Sequence, residues 1–410
     1  MPSDAKPNLT PKLRFPEFRD KPGWNDGATS DIAVVLQGYG FPEKHQGRRT
    51  GELPFYKVSD ISRTLDLGSH YIDEAAHYID QQTLKELKAK TIPEGTTIFA
   101  KIGEALRLNK RVITTKPCVI DNNTAGVKAI EGKATDLFLY YLWLTVSLED
   151  HAGGVVPAVN KSAIESIPVL YPSSPEQQKI ASCLSTLDEL IGAENQKLDA
   201  LQSHKKGLMQ QIFPREGETL PRLRFPEFQN APEWEDKTLS DACRMQAGKF
   251  VAASDIKEQP ADGLFPCYGG NGLRGYTQTY THEGRYPLIG RQGALCGNVK
   301  LGGGKFHATE HALVATAQQG VDESWLYYVL DFLNLNRFAT GQAQPGLSVD
   351  VLEKIPVAIP KEKNEQERIA TCLSSLDDLI TAQGDKVEAL KTHKKGLMQG
   401  LFPSTAEEEA

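Results

Sequence analysis

The sequence predicts an α+β chain built from two mixed, β-leaning domains, each followed by one long coiled-coil helix. Three observations predict it: an internal repeat whose ends match and whose interiors differ, two sustained heptad seams, and interiors dense in turn signals and short apolar runs.

The repeat sets the domain count. "LRFPEF" occurs at Leu13–Phe18 and at Leu223–Phe228, 210 residues apart, whereas "HKKGLMQ" at His204 and His393 recurs after 189. Trp24/Trp234, Asp26/Asp236, Ser30/Ser240, Asp31/Asp241 and Gly38/Gly248 keep the 210 offset. Pro157/Pro345 and Pro168/Pro356 sit 188 apart, in "GGVVPAVNKSAIESIPV" and "GQAQPGLSVDVLEKIPV". The offset therefore falls by 22 between about residue 40 and residue 150, then recovers by one. Two alike frames hold two unlike interiors, which is where a duplicated chain is free to diverge.

The frame ends in the helices. Ile180, Leu184, Leu187, Ile191, Leu198, Leu201, Leu208 and Ile212 follow 4-3 spacing, with Glu194 and Lys205 filling two seam positions. The second copy runs Ile369, Leu373, Leu376, Ile380, Val387, Leu390, Leu397 and Leu401, with Gln383 and Lys394 at the same two breaks. Polar residues in a seam cost stability and fix register. Ser174-Pro175 and Asn364 with Glu367 suggest the helix starts, and Pro214 and Pro403 the stops. Each helix spans about 37 residues, or roughly 55 Å. A stripe this long needs a partner, either its own copy or the domain beside it. Gly207 and Gly396, at matching places, suggest close approach of another backbone or subunit.

Within the interiors, Leu53–Ile61, Gly95–Gly103 and Arg285–Val299 read as strands. Short helices are predicted over Gln82–Lys90, Asp136–Leu148 and Asp322–Asn334. "FHATEHALV", around His307 and His311, alternates like a strand. "EALRLNKR" (Glu104–Arg111) interrupts the first interior with no counterpart in the second.

Composition bounds the function. The chain has 410 residues, 40% hydrophobic and 24% charged, with a formal charge of −7. It shows no apolar run of about 18 residues and no signal-peptide pattern, so a cytoplasmic protein is expected. The six cysteines form no C-x-x-C pair and read as reduced thiols. Gly270–Gly275 fits G-x-G-x-x-G by letter, but strand- and turn-like sequence follows it, so a dinucleotide site is rejected. No P-loop, H-E-x-x-H, amino-methyltransferase tetrapeptide or nuclease carboxylate–Lys cluster is present. No catalytic or metal-binding residue is assigned.

Acidic charge opposes nucleic-acid binding unless basic groups are local. They are: Lys44, Arg48, Arg49, Lys101, Arg107, Lys110 and Arg111 in the first interior, and Arg274, Arg291, Lys305 and His307 in the second. Most stand beside glycines. Asn271, Tyr276 and Gln292 share those stretches. Arg, Lys, Asn and Gln read base edges, and loops carry them well. A solvated surface would look the same residue by residue.

Two variable interiors, each followed by "EQQKI…LD.LI…L…KKGLMQ.IFP", resemble the specificity subunit of type I restriction–modification systems. The paired "LRFPEF…W" leaders, "FYKVSDI", "KIG…DNNTAG" and "IGRQGALCGNV…FHATEHALVA" are similar to segments of that family's target-recognition domains. The resemblance covers nearly all of Leu13–Pro403. It implies two target-recognition domains in pseudo-two-fold arrangement, joined by two antiparallel helices. Each domain would read one half of an asymmetric bipartite DNA target. Two methyltransferase subunits and two restriction/motor subunits would be partners, carrying S-adenosylmethionine, ATP and Mg²⁺. This chain itself would be non-catalytic. The backbone dyad of DNA favours two readers related by a two-fold axis, about one helical turn (roughly 34–36 Å) apart.

The implied division is a leader at 1–23, recognition domains at 24–172 and 234–361, helices at 173–213 and 362–403, a linker at 214–233 and a disordered acidic tail at 404–410. A competing expectation is a coiled-coil adaptor whose interiors bind proteins. A third is an enzyme with an unrecognised site.

Overall fold

The computed structural model describes residues 9–341 and 345–403; the predicted disordered tail at 404–410 and the start of the leader lie outside the described residues. The chain forms two compact units, Met1–Lys197 with Gly384–Ala410 and Leu198–Gln383. Each long helix thus gives its N-terminal half to one unit and its C-terminal half to the other.

The first unit contains strands β1 (Asn25–Ala28), β2 (Ala33–Gln37), β3 (Leu53–Tyr56), β4 (Tyr71–Ile72), β5 (Tyr78–Ile79), β6 (Thr97–Ala100), β7 (Arg111–Thr114), β8 (Val119–Ile120), β9 (Thr124–Ala129) and β10 (Pro168–Tyr171). They form a five-stranded sheet β2-β9-β6-β7-β4, a three-stranded sheet β5-β3-β8 and the pair β1-β10. The second unit contains β11 (Glu235–Thr238), β12 (Cys243–Ala247), β13 (Phe265–Gly269), β14 (Gly272–Thr277), β15 (His282–Glu283), β16 (Tyr286–Gly290), β17 (Val299–Gly302), β18 (Lys305–Ala308), β19 (Ala312–Ala317) and β20 (Pro356–Ile359). Here the sheets are β12-β19-β16-β17, β14-β13-β18-β15 and β11-β20.

The interiors share more than their sequences suggest. The β6–β9 register (Ile98 opposite Gly126) matches β16–β19 (Leu288 opposite Val314), and the parallel β3–β8 contact (Tyr56 with Ile120) matches β13–β18 (Tyr268 with Ala308). From Tyr56 to Ile98 is 42 positions, and from Tyr268 to Leu288 is 20, a difference of 22. One excursion therefore accounts for the net length difference, because the two-residue differences before and after it cancel. In the first unit it forms a helix (Val58–Asp66), β4, β5 and a second helix (Gln81–Glu86); in the second it forms β14 and β15.

The remaining elements correct several expectations. Leu53–Ile61 is strand only to Tyr56. Asp60 then accepts the Lys57 N–H at 2.8 Å and starts the Val58–Asp66 helix. Arg285–Val299 splits into β16 and the start of β17 around a glycine-bearing loop. "FHATEHALV" is two strands joined by a turn at Thr309–His311, where Ala312 N–H bonds Thr309 O at 3.0 Å. The predicted short helices occupy Gln81–Glu86, Asp136–Thr145 and Glu323–Phe332.

The long helices span Ser174–Ile212 and Lys363–Leu401, 39 residues each; the second begins one residue before the expected Asn364 cap. Along the predicted seam, Ile180, Leu184, Ile212, Ile369, Leu373, Val387 and Leu401 are buried, as is Gln383 at one of the breaks, and the others are half-buried. Lys394 meets Asp188, and Lys386 meets Glu194, so one number falls as the other rises and the helix halves in the first unit run antiparallel. The second unit repeats the first of these pairs as Lys205–Asp377 at 2.6 Å. In both, a tyrosine on the domain's short helix donates to the same carboxylate: Tyr141 to Asp188 and Tyr328 to Asp377, each at 2.7 Å. The ammonium lies over that tyrosine's ring, at 5.3 Å for Lys394 and 5.2 Å for Lys205. Burial, and after it the carboxylate, push both phenols upward. Apart from the surrounding turns of its own helix, no described atom of this chain lies within 4 Å of where a Cβ on Gly207 or Gly396 would sit, so close approach of another segment of this chain is not why those glycines recur.

The leaders buckle each domain to its helix. Arg14 donates twice to Glu176 at 2.8 Å, and Trp24 Nε1 bonds the same carboxylate at 3.3 Å. Arg224, Glu365 and Trp234 repeat this at 2.7, 2.7 and 3.1 Å. Both carboxylates are buried, and a bidentate guanidinium offsets that desolvation. Leu13 N–H bonds Gly400 O at 2.8 Å, as Leu223 N–H bonds Gln211 O at 2.9 Å. The first leader thus rests on the end of the second helix, and the second leader on the end of the first.

Replacing Lys394 by Met strands a largely buried Asp188 and should cost about 3 kcal/mol, read as a lowered urea midpoint. Asp188→Leu with Lys394→Met should recover most of it, since both desolvated charges go. His70 offers a second check. It stacks on Tyr140 (5.2 Å between centroids), and its buried Nε2 has no partner. Burial lowers its pKa from 6.5. The unfolded chain then takes up the proton first, so stability should fall as pH drops below about 6.5. His70→Phe should flatten that acid limb in thermal melts.

Candidate nucleic-acid interface

Glycines decide how the loops at one sheet end pack. A Cβ on Gly38 would overlap the Asp121 carbonyl oxygen, and one on Gly248 the Ala308 oxygen. Both admit the same close approach, where Tyr39 N–H bonds Ile120 O and Lys249 N–H bonds Ala308 O, each at 2.8 Å. That is the physical reason for the Gly38/Gly248 pair.

Beside this approach each unit builds the same platform. After β6, Lys101 N–H bonds Asn123 O (2.9 Å), Gly103 N–H bonds Pro157 O (2.8 Å) and Val159 N–H bonds Lys101 O (3.0 Å). After β16, Arg291 N–H bonds His311 O, Gly293 N–H bonds Pro345 O and Leu347 N–H bonds Arg291 O, all at 2.9 Å. Lys101-Ile102-Gly103 and Arg291-Gln292-Gly293 thus occupy equivalent places. "EALRLNKR" does have a counterpart: it forms a helical turn (Glu104–Arg107) where the second unit makes a shorter turn over 294–297.

The sequence candidates scatter around these platforms. Lys44, Arg48 and Arg49 are exposed between β2 and β3, and Arg48 bonds Asp80 at 2.7 Å. Lys101 is half-buried; burial lowers its ammonium pKa, with Asp121 acting the other way. Arg107 is exposed and engaged by Glu104 and Glu149, both at 3.0 Å. Lys110 reaches the Ser62 hydroxyl at 3.2 Å. Arg111 is a correction. It is 1% exposed, donates to Asn109 Oδ1 (2.5 Å) and Val146 O (2.7 Å), and packs against Phe99 and Trp143. Burial lowers its pKa to about 9. It belongs to the core.

In the second unit, Asn271 and Arg274 are exposed on the β13–β14 hairpin and Tyr276 is half-buried. The hairpin tip leans on the platform so closely that a Cβ on Gly290 would overlap Gly270 O. Asn271, half-buried Arg291 and exposed Gln292 are thereby brought together. Asn298 donates to Asn271 at 3.5 Å, and His311 Nδ1 lies 3.1 Å from Gln292 Oε1. Lys305 instead pairs with Glu283 at 3.9 Å and covers Tyr280 at 5.0 Å. His307 is a second correction: it is 4% exposed, and its ring nitrogens meet Thr279 Oγ1 (2.9 Å) and Lys249 O (3.0 Å).

Sequence reasoning missed His311 and Asn298, which complete this cluster. It also missed Asp121 and Thr309, equivalent residues after β8 and β18. Each buries a side-chain oxygen that has no partner. Only the paired registers identify them. A cleft of about 290 Å³ lined by Phe213–Glu218 includes none of the candidates.

The family model described as type I restriction modification DNA specificity domain matches residues 22–203 and 232–392. The EcoprrI specificity subunit of Escherichia coli is 41% identical over 151 residues, 37% of this chain and 37% of that protein. The MjaVIII specificity subunit of Methanocaldococcus jannaschii is 28% identical over 296 residues, covering 65% and 69%. The type I restriction-modification system S subunit from M. genitalium superposes with a TM-score of 0.66 at 16% identity, over 97% of this chain and 100% of that one. A chain from a structure of type I R-M system complex assembly and conformational transition gives 0.56 at 17% identity, over 93% and 98%. At these identities the structural likeness bears on the fold.

Gly290→Ala should push the β13–β14 hairpin off the platform. The expected cost is about 1–3 kcal/mol, with faster proteolysis within 263–280. An unchanged melting temperature and cleavage pattern would remove the glycine argument.

Proposed function

We propose that this chain, which belongs to the type I restriction modification DNA specificity family, reads one half of an asymmetric bipartite DNA target with each of its two domains. The observation that carries this is the pair of equivalent platforms with unlike side chains. Identical backbone bonds present Lys101-Ile102 in one unit and Arg291-Gln292 in the other. One platform backbone that carries different side chains suits two different half-sites.

Most of the exposed or half-exposed candidates fall into two roles. Asn271, Arg274, Arg291 and Gln292 have the donor patterns that read base edges, Arg toward guanine and Asn or Gln toward adenine. Lys44, Arg48, Arg49, Lys101 and Lys110 suit phosphates, which orient a protein without reading sequence. The long helices set the separation of the half-sites and dock methyltransferase subunits. Two methyltransferase and two restriction/motor subunits complete the complex. S-adenosylmethionine, ATP and Mg²⁺ belong to those partners, so adenine methylation and ATP-dependent cleavage are activities of the assembly. With a charge of −7, this chain supplies few net phosphate contacts, and the methyltransferases supply more.

The test is reconstitution with the methyltransferase subunits and S-adenosylmethionine. A sequence-selective mobility shift and adenine methylation at one split motif are expected. The isolated chain should bind weakly and with steep salt dependence. Exchanging residues 40–150 for those of a relative should change one half of the methylated motif. Change in both halves overturns the one-domain, one-half-site reading; no selective shift and no methylation favours a protein-binding adaptor.

A further inference from the structure

The loop that closes the first platform carries an exposed apolar tip. Val155 is fully exposed, at 104%, and Val156 is 62% exposed. Burying these side chains in a partner would be favourable, and nothing in the fold requires them to be apolar. The tip is held, not trailing. Gly153 and Ala158 exchange backbone bonds at 3.1 and 3.2 Å, and Pro157 O accepts the Gly103 N–H at 2.8 Å. Gly154, at φ +93°, turns the chain into the tip. Lys101, two residues before Gly103, belongs to the same ladder, so the valine tip and the Lys101 backbone are held on one support. Arg107 nearby is already matched by Glu104 and Glu149.

The repeat shows that the tip is a variable position on a fixed support. By sequence, Ala343 and Gln344 stand where the first unit has Val155 and Val156, while Pro157/Pro345 and their bonds to Gly103/Gly293 are kept. An amide can pair with adenine. An apolar β-branched pair cannot hydrogen-bond a base, and the base feature that matches it in the major groove is the thymine C5-methyl.

We propose that Val155 and Val156 are specificity-determining residues that contact thymine methyl groups in the half-site read by the first unit. This rests on the recognition role proposed above. It assigns to two apolar side chains a part of the readout that basic and amide residues cannot perform.

The experiment uses the reconstituted methyltransferase complex and duplexes carrying its methylated motif. The exchange of residues 40–150 identifies the first unit's half-site. Thymines there are replaced one at a time by deoxyuridine, which removes only the methyl. Binding should weaken about four-fold per contacted methyl, the worth of one buried carbon, at one or two positions. Val155→Ser with Val156→Ser should bind the native duplex correspondingly less well and no longer distinguish thymine from deoxyuridine. Both residues are exposed, so the fold should be retained. Deoxyuridine in the other half-site should act equally on both proteins. A first half-site without thymine, neutrality of every deoxyuridine, or a double variant that still discriminates would each overturn the proposal. So would a double variant that fails to assemble with the methyltransferases, which would make the tip a protein contact. A wild-type complex that selects no sequence defeats the recognition role itself, and does so before any base is altered.

Discussion

The pairing of helix halves within each unit is anchored by a lysine–aspartate–tyrosine clasp. Lys394, Asp188 and Tyr141 form it in the first unit, and Lys205, Asp377 and Tyr328 in the second. A heptad seam of leucines and isoleucines would tolerate a slip of one heptad at little cost, because the stripe looks alike after seven residues. The clasp does not. A slip would leave the largely buried Asp188 carboxylate without its ammonium, a penalty of about 3 kcal/mol, and the more exposed Asp377 would lose less. The tyrosine extends the constraint to the domain, because it comes from the short helix (Asp136–Thr145 or Glu323–Phe332) packed on the sheet. Register of helix on helix and of domain on helix are therefore fixed at one carboxylate.

The leader contacts act at the other end of the same problem. A long helix that begins at Ser174 or Lys363 could pivot about its first turn. Glu176 and Glu365 prevent it by accepting a bidentate arginine from the leader and an indole N–H from the tryptophan that follows. Gln177 and Gln366 add bonds to the domain carbonyls of Lys133 and Pro172, and of Gly320 and Pro360. The adjacent Glu-Gln pair thus ties leader, domain and helix together, which explains why "LRFPEF", the tryptophan and "EQ" recur as a set although they lie far apart in sequence.

How much of this the sequence discloses follows from the range of the forces involved. The helices are legible almost to their ends because a seam repeats its signal ten times over and prolines stop it. Lys205 and Lys394 are legible as breaks in the seam, but their partners are not, since Asp188 and Asp377 lie off the stripe. Lys57–Ile61 misleads because "YKVSDI" has strand-like residues, and a single capping carboxylate turns it into helix. Arg111 misleads because an arginine among basic neighbours reads as surface, whereas β7 places it at the edge of an aromatic core. His307 misleads in the same way. Asp121, Thr309 and Asn298 carry no local signal at all: their positions are set by strand pairings between residues that are remote in sequence.

The distribution of difference between the units bears on how such a chain changes what it binds. Twenty-two residues separate the interiors in length, yet they fall in the single excursion between β3 and β6, or β13 and β16. The platforms, by contrast, keep their backbone bonds while their side chains differ. Most of the length change is thus separated in the fold from the side-chain change at the platforms. An insertion inside a platform would break the bonds from Gly103 to Pro157 or from Gly293 to Pro345 and misplace every side chain on the loop. A substitution there alters the chemistry presented and leaves the geometry alone. The excursion is under no such restriction, since it re-enters the sheet at β6 or β16 whatever its length. On the recognition role proposed for the platforms, selectivity in this architecture would be tuned in small steps there, residue by residue, and in large steps by replacing the excursion whole.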